Sequence, residues 1–168
     1  MEQDLIENIK TKFTNKDQWC LVVGDLMLDR YIFGEITRIS PEAPIPILKK
    51  GKEQFRMGGA ANVAANVSGF GIKTVLAGLI GKDINGEHLT RLIKDKLISC
   101  KGVIRGKNPT TTKTRIISGQ QQIIRIDEED IVLSLNKNDT KKILDLIKKK
   151  PSIIIVSDYA KGLISLEL

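Results

Sequence analysis

The sequence predicts an α/β protein whose core alternates strands and helices, with a second, small sheet projecting from that core. Two observations predict the core. Short apolar runs such as residues 20–23 and 152–156 have the composition of strands buried in a parallel sheet. Segments whose apolar residues recur at helical spacing lie between these runs. A third observation predicts the small sheet, because residues 29–50 and 110–127 are polar and β-rich and fit an apolar core badly.

The elements predicted before residue 60 are a helix, a buried strand and extended segments. Apolar side chains recur at helical spacing over residues 1–13. Residues 20–23 form the buried strand, and residues 29–33 look like a short continuation of it. Prolines exclude a helix from residues 35–46, so this stretch is expected to be irregular. Ile45, Ile47 and the lysines that follow predict an exposed or edge strand.

Strands and helices alternate in the rest of the chain. The alanine-rich stretch after Gly58-Gly59 is a good helix former that ends at Ser68-Gly69. Residues 111–118 and 122–127 flank Gly119-Gln120 and predict a hairpin. The other predicted elements are strands at 73–78, 103–104 and 152–156 and helices at 85–97 and 139–149, the last with Ile143, Leu144 and Ile147 facing inward.

Composition narrows the possible functions. The 168 residues fit one ordinary domain, and the apolar runs are too short to cross a bilayer. The acidic N-terminus lacks the apolar segment of a secretory signal, and the two cysteines lie outside any metal-binding or disulfide pattern, which predicts a cytoplasmic chain with reduced thiols and no structural zinc site. Aromatic residues make up 4% of the chain, so a nucleic-acid partner is not expected. The net charge of +7 is explained either by solvated surfaces or by a site for phosphorylated small molecules.

The first candidate site is Gly58-Gly59, which leads directly into a predicted helix. Glycines let a backbone approach a ligand closely, and a helix N-terminus presents unpaired N–H groups. Asn62, one turn into the helix, can donate to and accept from sugar hydroxyls. A plain tight turn before a core helix explains the same residues equally well.

Two further candidates follow predicted strands. Asp25 and Asp29 lie at the end of the first strand, where open α/β sheets bind ligands, and could hold a metal or hydroxyls. Asp25 could equally cap a turn. The loop 157–162, which contains Asp158 and Lys161, follows the last strand and would reach the same edge if the strands are parallel. Lys161 could contact a phosphate as a point charge, although an ordinary strand-to-helix loop remains the alternative.

The fourth candidate is a cationic group on the predicted hairpin. Lys113 and Arg115 are two residues apart on a strand and therefore share a face. An odd-length loop would put Arg125 opposite Arg115, and an even one would put it on the other face. A shared face would form a phosphate clamp, whereas an exposed polar hairpin face is the alternative. His88 is expected at the surface of a helix, and Cys20 is expected to serve packing.

Together these motifs resemble the ribokinase-like (PfkB) sugar kinases. The segment G-G-A-A-N-V-A at 58–64, continued to G-F-G at 69–71, is similar to the N-terminal signature of that family. The resemblance is closer to the bacterial D-glycero-β-D-manno-heptose-7-phosphate kinases. It is carried by residues 23–31, 38–46, 112–115, 121–127 and 157–162, which read V-G-D-L-M-L-D-R-Y, R-I-S-P-E-A-P-I-P, T-K-T-R, Q-Q-I-I-R-I-D and S-D-Y-A-K-G.

The resemblance implies a three-layer ribokinase-like α/β core with a β-sheet lid, formed by about residues 29–50 and 110–127, that pairs with the lid of a second subunit. It implies transfer of the ATP γ-phosphate, with Mg²⁺, to the anomeric hydroxyl of the heptose 7-phosphate, for lipopolysaccharide synthesis. It also implies roles for single residues. Sugar hydroxyls would be held by Asp29, Gly58, Gly59 and Asn62. The sugar phosphate would be held by Arg38, Lys113, Arg115 and Arg125. The reaction centre would be lined by Asp25, Asp158 and Lys161.

The family also has a catalytic Asp in a late Gly-x-Gly-Asp motif, and no Gly-x-Gly-Asp occurs in these 168 residues. Residues 1–168 resemble the first half of a kinase domain, without the nucleotide-binding half, and the catalytic base is expected beyond Leu168. We therefore expect a sugar-phosphate kinase fragment that is inactive alone. The alternative is a non-catalytic module that binds sugar phosphate or dimerises through its lid. A nicotinamide-binding domain is disfavoured because G-x-G-x-x-G is absent.

Overall fold

The computed structural model describes residues 18–129 and 135–164. Two expectations lie outside these described residues: the predicted helix over residues 1–13, and the catalytic base expected beyond Leu168. Among the described residues no helix is long and apolar enough to cross a membrane.

Strands and helices occur in the described parts of the chain in the following order: β1 (Cys20–Gly24), β2 (Leu26–Ile39), β3 (Pro46–Gly58), α1 (Gly59–Gly69), β4 (Thr74–Gly81), α2 (Ile84–Asp95), β5 (Ser99–Gly106), β6 (Thr112–Ser118), β7 (Gln121–Glu128), α3 (Lys137–Lys148) and β8 (Ile153–Ser157).

Four parallel strands form the core sheet, in the order β5-β4-β1-β8. Side chains alternate between its two faces, as the pleat requires. Val22 and Leu76 pack with α1 and α2 on one face, and Leu21 and Ala77 pack with α3 on the other. The result is the predicted three-layer α/β core.

Asp83 is a capping residue that marks the start of helix α2. The Asp83 side chain accepts a hydrogen bond from the N–H of Gly86 at 2.7 Å and so caps α2. It also accepts from the N–H and the hydroxyl of Thr110, at 2.7 and 2.8 Å. Burial works to raise the pKa of Asp83, but these hydrogen bonds outweigh it and the pKa is lowered. Asp83 therefore joins the start of α2 to the segment that leads into β6.

A second sheet of four strands, the small sheet, has the order β3-β2-β6-β7. Strands β2 and β6 are parallel, and the two outer pairs are antiparallel. The small sheet contains both polar segments that fit the core badly in the sequence, residues 29–50 and 110–127. Strand β3 lies at its edge, as the sequence predicts for the residues after Ile45.

The hairpin β6–β7 shows why loop length alone does not decide register. Its loop is the even-length pair Gly119-Gln120, yet Arg115 lies opposite Arg125. A register shift opposite Ile116 and Ile117 adds one residue, Ile123, to β7. Because of this bulge, Arg125 lies opposite Arg115 and not on the other face of the sheet. Lys113, Arg115 and Arg125 therefore share one face.

Several elements differ from the sequence-based expectation. Strand β2 continues to Ile39, so the irregular stretch is shorter than predicted. Its pairing with both β3 and β6 supplies the hydrogen bonds that single-strand patterning does not reveal. Strand β8 is parallel to β1, as expected, but it is an edge strand in the described structure, with Ile154 and Val156 exposed. In α3 the buried residues are Ile143 and Leu146, whereas Leu144 and Ile147, also predicted to face inward, are half-buried, with Ile147 packed against the core.

Candidate functional site

Asp25 lies between β1 and β2 and joins three segments of the core. The residue is 2% exposed, and its carboxylate oxygen Oδ2 accepts hydrogen bonds from the N–H groups of Tyr159 and Lys161 at 2.7 and 3.2 Å. Its backbone carbonyl accepts from the N–H of Ala60 at 2.9 Å. The other carboxylate oxygen, Oδ1, is buried and has no hydrogen-bond partner among the described residues. Asp25 therefore fixes the loop after β8 and the start of α1, and keeps one acceptor free.

The loop after β8 lies beside Asp25, because β1 and β8 are parallel and end at the same edge of the core sheet. Asp158 Oδ1 accepts from the N–H of Ala160 at 2.8 Å. Ala160 has a positive φ of 56°, a conformation that costs energy for a residue with a side chain. The hydrogen bonds that Asp25 and Asp158 accept from backbone N–H groups hold the loop in this shape, which positions Lys161.

The junction between β3 and α1 needs both glycines. A Cβ at Gly58 would lie 2.8 Å from Asp29 Oδ2, and Gly59 has a positive φ of 54° with its missing Cβ 2.3 Å from the Asp25 carbonyl oxygen. No side chain caps the first turn of α1, which also contains no acidic residue. Asn62 is exposed and faces the adjoining cleft. This junction is suited to the close approach of a polar ligand.

Asp29 and Arg115 form an ion pair at 2.5 Å, from Oδ1 to an Nη atom, between adjacent strands β2 and β6. Both side chains are about four-fifths buried, so water screens this pair less than a surface pair. Burial works to lower the pKa of Arg115, but the hydrogen bond to Asp29 outweighs it and the pKa is raised. Asp29 Oδ2, beside Gly58, is left to accept a hydrogen bond from a ligand.

Arg56 is a site residue that the sequence does not predict. The Tyr31 ring contacts two guanidinium groups, that of Arg56 at 4.7 Å and that of Arg115 at 5.2 Å from the ring centroid. Arg56 pairs with Asp29 in the register of β2 and β3. The closeness of Arg56 to Asp29 follows only from this strand register, because 27 residues and a reversal of the chain separate the two in the sequence.

A cleft of about 540 Å³ opens between the edge strand β3 and helices α1 and α2. Polar groups from the small sheet and from α1 meet there with an apolar wall. The lining residues are Asp29, Tyr31, Phe55, Arg56, Met57, Asn62, Ala65, Asn66, Leu92 and Lys96. His88, expected at the surface, is instead half-buried and stacks on Phe55 at 4.3 Å, because α2 packs against β3.

The other predicted cations are distributed unevenly. Lys113 Nζ contacts Asp127 Oδ2 at 3.0 Å and Glu129 Oε2 at 3.2 Å, and Arg125 Nε contacts Asp127 Oδ1 at 2.8 Å. Arg38 is exposed near the far end of β2, nine residues and ~30 Å of strand from Asp29. The structure therefore brings Lys113, Arg115 and Arg125 onto one face and leaves Arg38 apart from them.

Three remaining expectations concern metal ions, thiols and the catalytic base. Within residues 18–129 and 135–164, no three His, Cys, Asp or Glu side chains are grouped to hold a metal ion. Cys20 is buried in the core, as predicted, and burial raises the pKa of its thiol. Cys20 therefore contributes to packing. The described residues end before Leu168, so the base expected beyond it stays a prediction.

Known proteins resemble this chain in sequence and in fold. The sequence pattern of the pfkB family carbohydrate kinases matches residues 17–162. "Bifunctional protein HldE" of Methylobacillus flagellatus is 45% identical over 98% of this chain and 35% of its own length. "Bifunctional protein HldE" of Helicobacter pylori is 45% identical over 88% of this chain and 33% of its own length. The chain thus spans about a third of these curated relatives.

Solved structures show the same fold at lower sequence identity. Phosphofructokinase-2 from Escherichia coli, in complex with substrates and products, superposes with a TM-score of 0.64 at 17% identity, over 89% of this chain and 47% of its own. Ribokinase from Arabidopsis thaliana, complexed with ribose and ATP, gives 0.59 at 19% identity, over 83% and 45%. With the family pattern covering most of its length, this chain belongs to the pfkB family of carbohydrate kinases.

Proposed function

We propose that this chain is the sugar-phosphate-binding part of a kinase that phosphorylates the anomeric hydroxyl of D-glycero-β-D-manno-heptose 7-phosphate with ATP. The product, a 1,7-bisphosphate, would serve lipopolysaccharide inner-core synthesis in the cytoplasm. Support for this substrate comes from the relatives named "Bifunctional protein HldE", at 40–45% identity.

The observation that carries the proposal is the pairing of Asp29 with Arg115 beside the Gly58-Gly59 junction. Arg115 occupies Asp29 Oδ1, which orients the carboxylate so that Oδ2 can accept a hydrogen bond from a sugar hydroxyl. Asn62 adds an amide that both donates and accepts across the same cleft. A carboxylate, an amide and a helix N-terminus together suit a polyol ligand.

The reaction centre would lie at the edge of the core sheet, near Asp25, Asp158 and Lys161. Asp25 holds this loop through two backbone N–H groups, which positions Lys161 for a transferred or substrate phosphate. The described residues provide no ligand cluster for Mg²⁺, and the sequence up to Leu168 contains no Gly-x-Gly-Asp. We therefore assign no residue of this chain to the metal, to ATP or to the catalytic base. A chain of these residues alone would bind the sugar phosphate weakly at best and would show no ATP-dependent turnover.

Association of two copies through the small sheet stays a prediction of the sequence. Strand β7 is an edge strand, and its Ile123, Ile124 and Ile126 side chains are exposed by 39%, 52% and 47%. Such a dimer would cover these isoleucines.

The substitution Asp29→Asn tests the proposed function. It keeps the shape of the side chain but removes the charge, so the affinity for heptose 7-phosphate should fall at least about tenfold, as expected for a hydrogen bond to a charged group. Isothermal titration calorimetry measures this change. Asp95→Asn, at the exposed end of α2, is the matched control and should bind like the unmodified chain.

Two results would contradict the proposal. If Asp29→Asn binds the sugar phosphate as tightly as Asp95→Asn does, Asp29 is not a sugar ligand. ATP-dependent phosphorylation of heptose 7-phosphate by the purified 168-residue chain would show that the catalytic base lies within it.

A further inference from the structure

A chain of ion pairs connects the loop after β8 with the small sheet. Lys161 Nζ contacts Glu129 Oε1 at 2.8 Å, and Lys113 Nζ contacts Glu129 Oε2 at 3.2 Å. The chain continues from Lys113 to Asp127 and ends at Arg125. Positive and negative charges alternate along these five side chains. The carboxylate of Glu129 contacts Lys161 of the core and Lys113 of the small sheet, so it connects the two parts.

Both lysines are held in place by independent contacts. Lys161 belongs to the loop that Asp25 fixes through its backbone, and Lys113 lies on β6 next to Asp29 of β2. Lys161, Lys113 and Glu129 are 18%, 19% and 25% exposed at their side chains, so water screens their charges only in part. Two lysines on different parts of the fold thus converge on one partly shielded carboxylate.

The charges of this chain leave a surplus that suits a phosphate. The three cations Lys161, Lys113 and Arg125 face two carboxylates, which leaves one positive charge. A phosphate monoester carries a charge of about −1.5 to −2 at neutral pH and presents paired oxygens much as a carboxylate does. If it replaced the carboxylate of Glu129, its charge and that of Asp127 would balance the three cations. The hydrogen bond from Lys161 holds the pKa of Glu129 below its ordinary value, so at neutral pH Glu129 is the anion that a ligand must displace.

We propose that Lys113 and Lys161 form a phosphate-binding site in which the carboxylate of Glu129 is a displaceable substitute for the ligand. Without ligand, Glu129 bridges the two lysines. With ligand, the phosphate bridges them and Glu129 moves to solvent. In that state the bound phosphate, instead of Glu129, links Lys161 of the core to Lys113 of the small sheet. That the phosphate belongs to a sugar rests on the proposed function, whereas the site itself would accept inorganic phosphate.

The substitution Glu129→Gln tests this site with inorganic phosphate as the probe. It removes the competing charge, so phosphate should bind about tenfold more tightly, or by ~1.4 kcal/mol. The neighbouring Glu128→Gln is the matched control, because Glu128 is exposed and forms no ion pair within the described structure. Calorimetric titration measures both variants, and Glu128→Gln should behave like the unmodified chain. Equal or weaker phosphate binding by Glu129→Gln overturns the inference.

A second variant separates a site from a general charge effect. Adding Lys161→Met to Glu129→Gln should abolish the gain in phosphate affinity, since one of the two lysines is then missing. A gain that survives this double substitution also overturns the inference.

Heptose 7-phosphate distinguishes failure of this inference from failure of the proposed function. If Glu129→Gln binds inorganic phosphate more tightly but no variant binds heptose 7-phosphate, the phosphate site stands and the proposed substrate is wrong. If the sugar phosphate binds through Asp29 but Glu129→Gln does not differ from Glu128→Gln, the proposed function stands and the role of Glu129 is wrong.

Discussion

The core sheet and the small sheet are held together by different forces. In the core sheet, side chains such as Leu21 and Leu76 are fully buried and pack against helices on both faces. In the small sheet every residue of β7 is exposed, and ion pairs such as Asp29–Arg115 and Lys113–Asp127 connect neighbouring strands. The core therefore derives its stability from apolar burial, while the small sheet holds its charged side chains close to one another and partly shielded. Recognition of a polar, anionic ligand needs the second arrangement.

The largest expected effect comes from truncating an apolar side chain in the core. Leu76→Ala should lower the free energy of unfolding by about 2–5 kcal/mol, because it leaves a cavity between β4 and the helices. Ile124→Ala in the small sheet, at a side chain 52% exposed, should change it by no more than about 0.5 kcal/mol. Urea unfolding followed by circular dichroism measures both. Similar losses for the two variants would show that the sheets do not differ in this way.

A smaller effect is expected where the two sheets meet. Gly59→Ala places a Cβ 2.3 Å from the Asp25 carbonyl oxygen, at a positive φ of 54°, and should cost about 2 kcal/mol. Gly69→Ala, at the other end of α1, meets no atom within 4 Å and should be neutral or stabilise by up to about 1 kcal/mol. The same unfolding measurement applies. A Gly59→Ala variant as stable as Gly69→Ala would mean that the junction has room for a side chain.

The smallest effect should appear as a dependence of stability on pH. Hydrogen bonds from Lys161 and Lys113 lower the pKa values of Glu129 and Asp127 below their ordinary 4.5 and 3.8. Carboxyls with a lowered pKa stabilise the folded state above their unfolded values, and this contribution disappears as the pH falls through the folded values. Between about pH 6 and pH 3, urea midpoints should therefore fall less for Glu129→Gln than for Glu128→Gln. An identical fall would mean that Glu129 gains nothing from its ion pairs.

The sequence predicts the core better than it predicts the site. Apolar periodicity is local, so residues 20–23 and the helix after Gly58-Gly59 are identified correctly. The length of β2 is underestimated, because residues 35–39 are mostly exposed and are held by pairing with β3 rather than by burial. The irregular stretch up to Pro46 is correspondingly shorter than predicted.

The site depends on register, which single-strand patterns do not contain. The placement of Arg125 follows from one bulge residue, Ile123, and the approach of Arg56 to Tyr31 follows from the pairing of β2 with β3. The Glu129 bridge joins residues on β6, after β7 and after β8, so no local motif indicates it. Charged residues are visible in the sequence, but their partners are decided by tertiary structure.

The hydrogen bonds of Asp25 also have a consequence for the order of folding. Asp25 and Tyr159 are 134 residues apart in the chain, and β1 pairs with β8 across a similar separation. Contacts between distant residues form slowly, because a long loop must close before they gain any energy. We expect β1, β4 and β5 to assemble with α1 and α2 first, and the loop of Lys161 to dock last. The protein would then become able to bind its ligand only in the last step of folding. Every molecule that binds ligand would therefore be completely folded.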